Sequence, residues 1–227
     1  MQPAPAKISD SAELEKLGRA TLEIVHDLKN QLNGLKLYAT FLRKRLDRED
    51  QPVEERETLA KLIAGLDRAA KDLTALVRYA RPLDLRVQHT DLRRILSNVI
   101  ADAAERDTGG LPRTTIAAQI EGDAFYGDFD PVALNDAIKA ITDGARAMLS
   151  SKDPQTLSIS MRAASNEAVI EWRGGNFSAR SGLLAGPNGC GSIYANLATK
   201  IIEAHGGTVA VDKDMIYVRL PLSTERS

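Results

Sequence analysis

The sequence predicts an α+β protein in two parts: an N-terminal helical hairpin, then a mixed sheet with helices on one face. Three observations carry this. Apolar residues recur at steps of three and four from Ser11 to Arg48, and again from Leu59 to Ala80, with no proline inside either run. Beyond Arg81-Pro82 the pattern breaks into short strand-like and helix-like segments punctuated by glycine. Aromatic residues make up 4% of the 227, against 43% apolar in all, which suits helix packing by Leu, Ile and Ala better than an all-β sandwich.

The first ten residues, with Pro3 and Pro5, read as a loose N-terminus. The first helix follows, its apolar stripe running Leu14, Leu17, Thr21, Ile24, Leu28, Leu32, Leu35, Tyr38, Leu42 and Leu46. Polar Asp47–Glu54, containing Pro52, is a turn. The second helix carries Leu59, Leu62, Leu66, Ala69, Leu73, Leu76 and Ala80, a heptad seam. It ends before Pro82, which disfavours helix at the preceding residue. Helices of this length reach about 40 to 57 Å at 1.5 Å per residue. Val25, Leu37, Phe41, Ile63, Ala70 and Val77 widen the apolar faces beyond what one hairpin buries. A four-helix bundle made by two chains, a homodimer, is the expectation.

In the second half, Asp91–Arg106 reads as an amphipathic helix, and Thr114–Ile120 and Ala124–Phe129 as strands. Asp130-Pro131 is an N-cap followed by a first-turn proline, opening a helix to about Leu149. Strands Thr156–Arg162 and Ala168–Trp172 flank a polar turn. Gly174–Gly191 is glycine-rich, with six glycines in eighteen residues. A helix from Ser192 to His205 ends at Gly206-Gly207, a C-cap signal, and strands Thr208–Val211 and Met215–Leu220 close the chain. The domain reading is a loose 1–10, a hairpin over 11–84 and an α/β domain over 85–227.

Composition excludes several classes of function. Thirty Lys and Arg against thirty-one Asp and Glu leave a formal charge of −1, which gives no basic field for nucleic acid. One cysteine, Cys190, rules out an internal disulfide framework, and three histidines leave little for a zinc site. No apolar run approaches the roughly 18 to 20 residues that span a bilayer, and Met1 opens no signal-peptide pattern. The expected setting is cytoplasmic, without membrane or nucleic-acid partners.

His26 is the first candidate for chemistry. Ile24 and Leu28 belong to the apolar stripe, and His26 lies two residues from each, about 200° around the helix and toward solvent. Asp27 adjoins it, and Asn30 follows one turn along the same face. A carboxylate that holds an imidazole tautomer and takes its proton leaves the other ring nitrogen free to attack. A solvated polar face is the alternative from these residues alone. Elsewhere, His205 reads as a C-terminal helix cap, His89 as an inert linker residue and Trp172 as strand packing.

Four segments, in order, resemble the two-component histidine kinases. His26-Asp27-Leu28-Lys29-Asn30-Gln31-Leu32 is similar to their phosphoacceptor box, and Tyr79-Ala80-Arg81-Pro82 to the motif closing the second dimerisation helix. Leu134–Met148 resembles their asparagine box, and Gly191–Gly207 the helix after the second glycine box. The resemblance covers nearly the whole chain. It implies that His26 is the phosphorylated residue, Asp27 its acid/base partner and Asn30 the group that positions water for dephosphorylation. It also implies a dimerisation hairpin followed by a Bergerat-type ATP-binding domain.

The departures from the family fall in the nucleotide site. Arg173 is read in the place of the aspartate that accepts the adenine amino group, and a guanidinium cannot accept a hydrogen bond. Lys139 and Asp143 stand for two asparagines; Asp143 retains an oxygen for Mg²⁺ and is a weak candidate ligand. Cys190, Ser192 and Tyr194 replace glycines, with Gly175 and Gly191 left as candidate phosphate contacts. Arg180 is the cation of the stretch between them. ATP is therefore doubtful as a cofactor, with no tightly bound group expected and Mg²⁺ supplied with the receiver partner. The leading expectation is phosphoryl relay, or phosphatase action, between His26 and response-regulator aspartates. An ATP-dependent kinase core with a divergent pocket and a non-enzymatic dimeric scaffold are the alternatives.

Overall fold

A computed structural model describes residues 7–46, 53–105, 114–122, 125–149, 156–174, 177, 191–212 and 214–223. The side chains of 7–21, 23, 26, 45, 46, 53, 191 and 192 lie outside that description. The chain divides into two compact units, Met1–Pro82 and Leu83–Ser227.

The first unit is a pair of helices, α1 (Lys7–Leu46) and α2 (Val53–Ala80), of 40 and 28 residues. Val25 and Ala39 of α1 and Leu59, Ile63 and Ala75 of α2 are buried, and Ala39, Leu59 and Ile63 form one cluster with Leu66 packed on it. An ion pair between Lys36 and Asp67 links the two helices. The stripe expected to be buried is not the one α2 covers. Ile24 is 61% exposed and Leu28 44%, with Leu35, Tyr38 and Leu42 also exposed. Successive residues turn 100° around a helix, so it can point only one stripe at a single partner helix. Here Ala39 packs with Leu59 and Ile63 of α2, and the longer apolar stripe stays exposed.

The second unit is α+β, with a five-stranded mixed sheet in the order β2-β4-β5-β7-β6. Its strands are β2 (Thr115–Glu121), β4 (Thr156–Ala164), β5 (Glu167–Arg173), β6 (Thr208–Asp212) and β7 (Met215–Pro221). β2 and β4 are parallel and the other pairs antiparallel. A separate two-stranded ribbon joins β1 (Gln88–Asp91) to β3 (Tyr126–Phe129). β1 was not foreseen, because Gln-His-Thr-Asp carries no apolar alternation; its pairing with β3 makes it a strand. Helices α3 (Leu92–Glu105), α4 (Pro131–Ala147) and α5 (Gly191–Ala204) complete the unit.

The core explains the helix boundaries. α4 buries Ala133, Leu134, Ala137, Ile138, Ile141, Thr142 and Ala145, the repeat of one helix face. Asp130 caps it, its Oδ1 accepting the N–H groups of Val132 and Ala133 at 3.0 Å, with Pro131 in the first turn. α5 ends in a tight turn in which the Gly207 N–H donates to Ile202 O at 2.9 Å. Gly206 takes φ +74 there, a conformation that side chains resist.

Candidate functional site

His26 lies within α1, next to the buried Val25; its own side chain lies outside the described residues. Asp27 and Asn30 are both exposed on the same helix, and each makes side-chain or electrostatic interactions of its own. The helix therefore presents a carboxylate and an amide to solvent within one turn of His26. Below them Leu37 and Phe41 are exposed as well.

The candidate nucleotide residues are not gathered into one cluster. Lys139 reaches across to α3, its Nζ pairing with Asp102 at 3.0 Å. Arg146, one turn past Thr142, donates from Nη1 to Ala103 O at 3.0 Å. Asp143 is exposed on α4 and has interactions of its own. Gly191 opens α5, Tyr194 is half-buried in its first turn, and Gly175, Arg180 and Cys190 fall outside the described residues. Among the described residues no group of three His, Cys, Asp or Glu is placed to hold a metal.

Strand alternation sends the last two side chains of β5 to opposite faces of the sheet. Trp172 is fully buried, and its indole N–H donates to Thr142 Oγ1 of α4 at 3.0 Å. Its direct neighbours across the sheet are Ile159 and Ile216, both buried. Arg173, one residue on, therefore points to the opposite face. There its Nη2 donates to Glu171 Oε2 at 2.7 Å, and Arg162 approaches the other carboxylate oxygen at 3.4 Å. The side chain of this strand end that faces α4 is Trp172, and Arg173, read in the place of the adenine-binding aspartate, is on the other face. Gly174 follows with φ +126, where a Cβ would lie 2.3 Å from Thr156 O.

A buried polar link has no local sequence signal because its halves lie 75 residues apart. His205 caps the end of α5 as expected, and it does so from a buried position. Its Nε2 accepts the Asp130 N–H at 3.0 Å, and Nδ1 lies 2.7 Å from Ile201 O, so Nδ1 carries the proton and donates. Asp130 Oδ2 also accepts the Arg86 N–H at 2.8 Å. Burial alone would raise the Asp130 pKa, but the N–H groups of Ala133, Arg86 and Val132, with a smaller influence of His205, hold it below 3.8. His89 sits in β1, stacked on Tyr126 with ring centroids 5.0 Å apart.

No protein-family model matches the sequence, and no curated protein matches it. Solved structures do. Full-length ShkA in complex with AMPPNP matches with a TM-score of 0.70 at 15% identity, over 92% of this chain and 47% of that one. The chain thus spans about half the length of that protein. The Acinetobacter baumannii histidine kinase AdeS matches at 0.59 and 18% identity, over 88% of this chain and 98% of that one. A nucleotide-free form of the catalytic domain of the histidine kinase ThkA matches at 0.51 and 11%, over 62% and 100%. The fold is that of the histidine kinase core. Its second unit has the Bergerat-like α/β fold seen in the ThkA catalytic domain. No helix among the described residues is long and apolar enough to cross a membrane.

Proposed function

We propose that the chain acts in two-component signalling as a dimeric histidine phosphotransfer protein, exchanging phosphoryl groups between His26 and response-regulator aspartates. The observation that supports this most is the placement of the His26, Asp27 and Asn30 box on α1 of a kinase-core fold. In the forward step an imidazole nitrogen of His26 forms the N–P bond as the P–O bond to the receiver aspartate breaks, and the carboxylate leaves with the electron pair. Asp27 holds the proton of the other ring nitrogen and offsets the developing charge. In the phosphatase direction Asn30 orients the water that attacks the receiver's acyl phosphate. The receiver brings Mg²⁺, which supplies most of the stabilisation of the transferring group.

The nucleotide domain is not the phosphoryl donor in this reading. Lys139 and Arg146, the cations of α4, are drawn to α3, and Arg173 is held by Glu171. ATP and a resident Mg²⁺ are accordingly not required. The partners are a second copy, through the exposed apolar stripe of α1, and receiver domains.

The test is transfer from a ³²P-phosphorylated receiver. Label should pass to the wild-type chain and not to His26→Ala. An ATP-dependent autokinase is the second reading, favoured by the match over 92% of the chain to a protein solved with AMPPNP. Self-labelling from Mg-ATP, with no uptake from any phosphorylated receiver, would establish it and sink the phosphotransfer reading.

A further inference from the structure

We infer that Trp172 is a built-in occupant of the adenine site, and that its indole excludes purine nucleotides from the second unit. The inference deepens the nucleotide side of the reading above. The resemblance to histidine kinases sets the acceptor for the adenine amino group at the end of β5 and the asparagine box on α4. The side chain that reaches from that strand end to α4 is Trp172, with no exposed surface, beside Ile159 and Ile216.

The chemistry of the spot matches a purine that is already in place. Indole and adenine are both planar bicyclic rings with an N–H donor on one edge. The indole N–H uses Thr142 Oγ1 at 3.0 Å, and the Thr142 hydroxyl in turn donates to Ile138 O at 2.8 Å. The Thr142 hydroxyl thus already accepts the indole N–H, and at the strand end Trp172 and Arg173 both offer an adenine amino group donors only. An adenine entering would have to expel the indole and strand a fully buried hydroxyl. Among the described residues the cations of α4 are equally committed, Lys139 to Asp102 and Arg146 to Ala103 O. The described residues do not fit a nucleotide.

Trp172 is the chain's single tryptophan, so its emission reports on the site directly. Full-length protein titrated with Mg-ATP and with adenosine to millimolar concentration should keep an unchanged, buried-indole emission and release no binding heat in calorimetry. Saturable quenching, a spectral shift or binding heat at those concentrations would overturn the inference. The Trp172→Ala chain, shown folded by circular dichroism, should bind adenosine at least tenfold more tightly than wild type; a folded variant with no gain would also overturn it. If Trp172→Ala does not fold, the wild-type titration still decides. Receiver-to-His26 transfer is assayed separately, so failure of that reaction and failure of the plug are distinguishable.

Discussion

Asp130 is buried with four backbone connections around it: three N–H groups donate to its carboxylate and its own N–H donates to His205. It ties the linker residue Arg86, the start of α4 and the end of α5 into one knot. Its depressed pKa means the unfolded chain binds the proton more readily than the folded one near pH 4. The stabilisation is therefore fully present above the unfolded value of about 3.9 and lost as pH falls through the lower folded value. Asp130→Ala should cost the second unit about 1 to 2 kcal/mol at neutral pH, the range of a lost N-cap. Urea melts between pH 3 and 7 should show the mutant's deficit shrinking at the acid end; a constant deficit would dissociate the cap from the carboxylate charge. His205→Ala leaves the Asp130 N–H and Ile201 O without their partner and opens a cavity beside Phe129. The expected loss is about 2 to 4 kcal/mol. His205→Phe, read by the same melts, should recover the packing part alone.

At the scale of elements, the long helices and most strands were legible because period and punctuation agreed. Asp130-Pro131 marked the start of α4, and Gly206-Gly207 the end of α5. β1 was hidden, since its partner lies 35 to 41 residues away in the register Gln88↔Phe129 to Asp91↔Tyr126. The site was legible in parts: the His26 box reads locally, whereas which of Trp172 and Arg173 faces α4 depends on strand alternation that sequence leaves free by one residue. Gly34 and Gly65 add an observation of another kind. Each sits inside a helix with nothing within 4 Å of where a Cβ would lie. Within one chain, then, neither glycine answers a steric need, and each costs about 1 kcal/mol against alanine. Gly34→Ala and Gly65→Ala should each raise the hairpin's stability by about that amount in thermal melts. A loss instead would mean that something outside the chain presses on the helix at that point.

For the whole molecule, the decisive quantity is how much apolar side chain the hairpin leaves uncovered. Ile24, Leu28, Leu35, Tyr38 and Leu42 run along one stripe of α1, and Leu62 and Leu76 are exposed on α2. Soluble monomers rarely expose contiguous apolar surface on this scale. Each side chain gains about 1.5 to 3 kcal/mol when fully buried. A second copy offers the same stripe by two-fold symmetry, so the contact is self-complementary and closes. The prediction is that wild type sediments at twice the 24.6 kDa chain mass, while Leu35→Glu with Tyr38→Glu sediments as the single chain. Because those positions lie in the first unit, Trp172 emission should be unchanged in the double mutant. A wild-type protein that sediments as one chain at micromolar concentration would remove the homodimer and leave the stripe to a different partner.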